Sequence, residues 1–401
     1  MVVWSGLGLF VFVCVFDPAN KLTGLKSPLF GGLWLVTLYG LAINRSGQKL
    51  PTGLLAYVLC FIAIPLLSVV WYFVIDGTQP FEGFQLLKGY VLVSIALVLF
   101  LNRCDSIPLL CAALTSSAVL SVALFVYLEI NPHAYDHLKQ IADPTGVLIL
   151  DKRKFGPQLE LLQVYLASSP MLVVSAAYYF HRGMTESDRR WMRVCWSLVA
   201  LNLAGLIVGG TRNNILGALI LPFLLWPLYQ RQPLRSALVS VGLLALCVLP
   251  ALGTLRALFD MNEPSNHIKL ELLHDYLKIF SNDPVTLLLG QGLGAYQYWG
   301  AKGGSSYISE LTYLELVRNF GLIGAVAMMT LLLAPISLAF ATGSQRQRAL
   351  VLSYGLYLVA CATNPNLFSS MGILILSILL ASAAMERPLS SHEPTSAPRL
   401  G

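Results

Sequence analysis

The sequence predicts an all-α fold: a polytopic membrane bundle of about 12 transmembrane helices, with a large polar loop between late helices. Three observations carry that prediction. Of 401 residues, 56% are hydrophobic and only 11% charged, against about 25% charged in soluble domains. Apolar runs recur from end to end, and lipid excludes irregular chain because its backbone polar groups go unsatisfied. The runs are continuous rather than alternating, which argues against a transmembrane β-barrel.

In chain order the apolar segments fall at 1–16, 28–43, 52–75, 84–101, 107–130, 161–180, 195–209, 214–229, 236–253, 310–337, 350–361 and 366–384. The first lacks a basic leader and a small-residue cleavage site, so it reads as a short membrane helix rather than a removable signal. Short segments such as 350–361 are expected to tilt, break or extend past these limits. Residues 1–384 form one integral-membrane domain. The tail 385–401, ERPLSSHEPTSAPRLG with its leading residues, is polar and Pro/Ser-rich and is expected to be disordered.

The connections set the orientation. Alternate ones are mostly short and basic: Arg45 and Lys49, Arg103, then Arg182, Arg189, Arg190 and Arg193, then Arg231 and Arg235, then Arg346 and Arg348. The others are longer and mixed: 17–26, 76–82, 131–160 and 254–309. The excess of cytoplasmic Lys and Arg puts both termini inside and both large loops outside, which in a bacterium is the periplasmic face of the inner membrane. The same distribution explains the formal net charge of +6, so no nucleic-acid partner is inferred. The seven cysteines lie in or beside apolar segments, a placement that suggests neither a disulfide framework nor a zinc site.

Chemistry concentrates between Thr254 and Gly324. The stretch opens with a charged segment, tightens into GQGLGAYQYWGAKGG and runs into an apolar helix beginning near Ser309. Arg212, in GGTRNN between two apolar segments, is either a snorkelling arginine or an anion site. We favour the anion site, because guanidinium grips phosphate with two parallel bonds and a helix start reinforces the pull. Among the loop cations Arg256, Lys269, Lys278 and Lys302, the last two read better as a solvated face. HIKLELLHDYLKIF is amphipathic at helical spacing, with Ile268, Leu272, Leu273, Leu277 and Phe280 on or near one face. It suggests a helix lying on the membrane or capping a cavity, with His267 and Lys269 at its start, placed to face a phosphate.

Glu310 opens the segment 310–337. It serves either the helix dipole, worth about 0.3–1 kcal/mol, or as a general base at the edge of a low-dielectric cavity. Composition leaves the two level. Tyr313 lies one turn on, and Glu315 and Arg318 are spaced to pair at i, i+3. Gly290, Gly292 and Gly294 only superficially fit a dinucleotide fingerprint, and a turn letting backbone approach a ligand is preferred. His133 and His137 read as surface histidines. Lys88, Glu129 and Asn364 lie at segment edges and read as ordinary interfacial groups.

The order of these features resembles the bacterial O-antigen polymerase and ligase superfamily (Wzy and WaaL types). The elements are GGTRNN opening a helix, a long outer loop, GQGLGAYQYWG and SELTYLELVRNFGLIGA. RKFGPQLELLQVYLASSPMLV at 153–173 and ATNPNLFSSMG at 362–372 look like polymerase members. The resemblance spans roughly 150–375; each motif alone is degenerate, and the order is what is specific. Ligases usually carry a histidine near the start of the late helix, in a His-Asn-x-Tyr-Leu-like run. Here Glu310 stands three residues before Tyr313 instead, which favours a polymerase.

The resemblance implies a GT-C-like glycosyltransferase that joins undecaprenyl-pyrophosphate-linked oligosaccharide repeat units at the periplasmic face. It further implies inversion at the anomeric carbon, no cofactor and no required metal. Arg212 with Arg256 or Lys269 would clamp the pyrophosphate, and Glu310 would be the base. Tyr313, His267, Gly292 and Gly294 would line the substrate site. A chain-length regulator of the Wzz co-polymerase type is a possible partner. The nearest rival is a ligase passing glycan to lipid A–core or to protein. A rival of another class is a polysaccharide lipid flippase or transporter, although charge gathered on one face suits a carrier poorly.

Overall fold

The computed structural model describes residues 2–18, 22–44, 50–76, 81–155, 159–248 and 264–386. The chain is mostly helical. Its first helices are α1 (Val2–Phe16), α2 (Lys26–Asn44), α3 (Thr52–Asp76), α4 (Phe81–Val91), α5 (Ile95–Leu101) and α6 (Ile107–Ile130). A 3₁₀ turn joins α4 to α5, so the two form one continuous apolar rod. Short helix α7 (Ala134–Ala142) leads to strands β1 (Leu148–Phe155) and β2 (Leu159–Leu166). Then come α8 (Leu172–Thr185), α9 (Arg189–Val208), α10 (Arg212–Leu225) and α11 (Pro233–Val248). The late part holds α12 (Pro264–Asn282), α13 (Pro284–Leu289), strands β3 (Gln297–Trp299) and β4 (Gly304–Ser306), α14 (Thr312–Thr342), α15 (Gln345–Ala360) and α16 (Ser370–Glu386).

Six helical stretches among the described residues are long and apolar enough to cross a membrane: 26–43, 52–75, 81–101, 107–130, 189–208 and 312–341. Shorter apolar helices cover 3–16, 233–245 and 370–386. The protein is therefore a multi-pass, mainly α-helical membrane protein. Large apolar side chains face outward on α2, α3, α11 and α14, among them Leu35, Leu67, Leu234 and Ile323. Such a surface is unfavourable in water and suits hydrocarbon. Helix α16 behaves differently: from Ser370 to Ser382 every residue is buried. A helix apolar all round belongs in the middle of a bundle, and α16 packs there against α1, α5, α14 and α15.

Three expectations need correction. The segment 161–180 is not one helix. Its first residues form β2, paired antiparallel with β1 from Leu148↔Leu166 to Phe155↔Leu159, and helix α8 starts only at Leu172. The purely all-α expectation therefore misses a hairpin. Short apolar runs do not distinguish strand from buried helix, and Leu162, Val164 and Tyr165 are buried because β2 is wedged onto α6 and α9. The helix expected at 310–337 begins at Thr312 and reaches Thr342, with a break at Gly321 (φ 67°, ψ 174°). The segment 131–160 is not merely loop, since it holds α7 and β1. Arg256 and the tail beyond residue 386 lie outside the described residues.

Candidate functional site

Several helices begin at one end of the molecule. Lys26 opens α2 and its ammonium donates to Ser370 Oγ, at the first residue of α16, over 2.9 Å. Thr312 opens α14 and its hydroxyl donates to the carbonyl of Asn364 (2.8 Å). Asn213, in the first turn of α10, donates to Ala360 O (2.9 Å) and Thr363 Oγ1 (3.0 Å). The segment 360–370 thus ties the starts of α2, α10, α14 and α16 together. Helix starts carry partial positive charge, so their convergence favours an anion there.

Arg212 is set into this end by strand β2. Gln163 Nε2 donates to Gly209 O (2.9 Å), and Gly210, at φ +62°, presses against the Gln163 side chain. Any Cβ at 210 would collide there, so the turn needs glycine on two counts. Thr211 then caps α10, its hydroxyl accepting from Asn214 N at 3.2 Å. Arg212 Nη1 donates across to Asn266 Oδ1 of α12 (2.5 Å). Asn266 and Lys269 line a cavity of about 530 Å³ whose other walls include Leu311, Tyr313 and Leu314. Arg212 thus bonds a residue of the cavity wall, Lys269 and Tyr313 line the cavity themselves, and Glu310 precedes the lining residue Leu311 in the chain. Tyr313 is anchored by its hydroxyl donating to Leu358 O (2.5 Å), leaving its ring as wall.

Glu310 is half-buried in the bend before α14, not in the helix. Its neighbours face two ways. Leu311 lines the smaller cavity, while Ser309 and Thr312 line a second cavity of about 1200 Å³. The second cavity also takes in Lys26, Lys88, Glu315, Asn319 and Asn366. In the chain, Glu310 lies between Ser309, which lines the larger cavity, and Leu311, which lines the smaller.

The loop is locked to the bundle by a buried charge pair. Arg318 is 0% exposed. It donates to Glu315 Oε2 (3.0 Å) and Oε1 (2.6 Å), Gln291 Oε1 (3.0 Å), Ala295 O (2.9 Å) and Tyr307 O (3.2 Å), which engages all five of its N–H groups. Glu315 also accepts from Tyr276 Oη of α12 (2.5 Å) and Asn319 Nδ2 (3.2 Å). Burial first, and the Glu315 carboxylate second, push the Tyr276 hydroxyl well above its usual range. The expected i, i+3 pairing of Glu315 and Arg318 is present, and its wider part is to hold α12 and the glycine loop in place.

Three expected site residues sit elsewhere. His267 lies on an exposed face and pairs with Glu271 (3.4 Å) rather than turning inward. Gly292 (φ +96°) is pressed against Tyr72 and Ser68 of α3, and Gly294 (φ +94°) against Gly83 of α4. The expected approach of backbone to ligand is here an approach of backbone to the chain's own helices. Only Leu293, between them, reaches the larger cavity. The amphipathic stretch does form a helix, α12, burying Leu272 and Tyr276 against Trp299. His133 and His137 are exposed, and no cluster of three metal-ligating side chains occurs among the described residues. The larger cavity, with Lys26, Lys88, Glu315 and Asn319, escaped sequence reasoning because its walls come from segments nearly 350 residues apart.

No protein-family model matches the chain, and no curated protein matches it.

Proposed function

We propose that this protein is an inner-membrane glycosyltransferase of about 12 spans with a GT-C-like bundle, joining undecaprenyl-pyrophosphate-linked oligosaccharide repeat units at the periplasmic face. The observation that supports the reading is the hydrogen bond from Arg212 to Asn266, which lines one cavity together with Lys269 and with Leu311, the residue after Glu310, at an end where several helices begin. Enzymes outside the cytoplasm have no nucleotide sugars to draw on, so the donor is a lipid-linked glycan. Its anomeric carbon–oxygen bond to pyrophosphate breaks, and both bonding electrons leave with the lipid pyrophosphate. Arg212 and Lys269 offset that developing charge, an effect that is largest where water is excluded. An acceptor hydroxyl attacks the anomeric carbon from the opposite side, with inversion, and passes its proton to Glu310.

The donor chemistry alone is shared with a ligase, which would differ in its acceptor. Glu310 at the place where ligases of the resembled family carry histidine favours the polymerase. The purified full-length protein, given lipid-linked repeat units and no nucleotide, is expected to lengthen them. Arg212→Ala and Glu310→Ala are expected to abolish growth while the protein stays folded. Normal chain lengths in both variants would sink this assignment, and translocation without growth would favour a carrier. In cells, gene loss leaving single-repeat caps or no exopolysaccharide supports a polymerase. Uncapped core with accumulating lipid-linked polymer supports a ligase.

A further inference from the structure

The aromatic part of the glycine-rich stretch has no role in the donor chemistry just described. Its QYW run forms β3, paired antiparallel with β4 as Gln297↔Ser306, Tyr298↔Ser305 and Trp299↔Gly304. Successive residues of a strand point to opposite faces, and cross-strand partners share a face. Trp299 turns inward. It is 0% exposed, its ring 4.8 Å from that of Tyr276 and 5.8 Å from the Arg318 guanidinium. Its indole donates to Ser306 O (3.2 Å), and Gly300 N donates to Asp275 Oδ2 (2.9 Å). These contacts fix the ribbon to α12 and α14.

The opposite face of the ribbon is open and aromatic. Tyr298 is 61% exposed, and Tyr296, two residues before it, 52%. Alternate residues of a strand stand about 6.5 Å apart, so one extended ligand can touch both. Tyr307 follows β4 on the same side, its ring edge-on to that of Tyr296 with centroids 5.4 Å apart. Tyr296 Oη donates to Glu82 Oε1 of α4 (3.2 Å), which fixes the position of that ring. Anchored tyrosines make a rigid, amphipathic surface with little entropy to lose on binding. A pyranose matches it, having an apolar C–H face ringed by hydroxyls. Tyr296, Tyr298, Ser305 and Tyr307 carry neither charge nor aliphatic chain, which suits neither a phosphate nor an acyl chain. The face also runs toward the proposed base. Tyr307 borders the larger cavity and stands three residues before Glu310 in the chain.

We infer that the outer face of the β3–β4 ribbon is a carbohydrate-binding platform that holds the growing glycan beside the Glu310 turn. Only the glycan's growth rests on the polymerase reading; binding of carbohydrate does not. A chain held between additions stays with the enzyme, so the platform sets how long the product becomes.

The probe is lipid-free glycan, released by mild acid from the source cell's own lipid-linked polymer and titrated calorimetrically into the full-length protein in detergent. Wild type is expected to bind it, several repeats more tightly than one. Losing a stacked ring should weaken binding about two- to tenfold, for Tyr298→Ala and Tyr298→Leu alike. Tyr298→Trp keeps a ring and should bind as wild type does. Tyr298 is exposed, so all three variants should keep the wild-type melting temperature. Tyr296→Ala is the second variant and should weaken binding of the same glycan. Given lipid-linked repeat units, the weakened variants should make shorter chains, and Tyr298→Trp chains of wild-type length. No binding by wild type overturns the platform. So does Tyr298→Leu binding like wild type, which would mark a face that needs only apolar bulk, as a lipid-facing one does. Ring-dependent binding without chain growth by wild type supports the platform and sinks the polymerase reading instead. Chain growth with lengths and affinities unchanged in every variant overturns the platform and leaves that reading standing.

Discussion

Arg318 holds Glu315 by two hydrogen bonds, of 3.0 and 2.6 Å, one turn apart on α14 and with the guanidinium wholly out of solvent. Burying two charges costs several kcal/mol, offset here because every donor of the arginine is engaged. The same guanidinium bonds Gln291, Ala295 and Tyr307, so a single side chain sets the shape of the glycine loop. Removing one partner leaves the other charge buried and unpaired, at a cost of about 3–5 kcal/mol. Arg318→Ala and Glu315→Ala should each lower the melting temperature in detergent and open 290–308 to protease. The double variant should be less damaged than the sum of the two.

Arg212→Lys keeps the charge and loses the planar fork that reaches Asn266. A hydrogen bond to a charged group is worth about 1.5–3 kcal/mol, so activity should fall by roughly ten- to a hundredfold if the loss is felt in the transition state. Asn266→Ala removes the same bond from the other side and should weaken donor binding with little change in melting temperature. Steady-state rates over a range of lipid-linked donor would show both effects; unchanged rates in the two variants would count against Arg212 as the clamp.

Gly321 lies at φ 67°, ψ 174° within α14, with Leu288 and Leu289 backbone where a Cβ would go. That region of backbone space is essentially reserved for glycine and costs other residues about 1–3 kcal/mol before any collision. Gly321→Ala should destabilise the protein by more than that and displace α13. A melting temperature equal to wild type would show that α14 can straighten.

The Tyr276 hydroxyl is raised above the ordinary tyrosine value by burial and then by Glu315. A proton held more tightly in the folded than in the unfolded state gives stability that is complete below the unfolded value, about 10, and is lost as pH rises through the folded one. Wild type should therefore lose stability progressively above about pH 10. Tyr276→Phe should be less stable at neutral pH and show a shallower alkaline decline. Parallel curves would exclude the coupling.

How much of this was legible in advance follows from where each signal is stored. The bounds of α6, Ile107–Ile130, match the expected segment 107–130, because an apolar run of that length has few alternatives in lipid. The pairing of Glu315 with Arg318 was readable because helical spacing is a local property. The hairpin was not, since QLELLQVYL is apolar in a way that suits strand or helix, and the decision is made by α6 and α9 lying alongside. The true reason for Gly292 and Gly294 was likewise hidden: what crowds them is Tyr72 and Gly83, some 200 residues earlier. Lys88 read as an interfacial group because nothing near it in sequence reveals the space it borders.

The wedge of β2 between α6 and α9 has a bearing on how the chain is made. Tyr165 at the far end of that strand accepts a hydrogen bond from Asn366 Nδ2 (2.8 Å), and Gln163 grips the turn before Arg212. Helices of the first half leave the ribosome and enter the bilayer long before residue 366 is synthesised. Until then the hairpin has one neighbour missing, and the arginine turn it steadies is held from one side alone. The full set of contacts around the arginine turn thus forms only once the segment before α16 has been made.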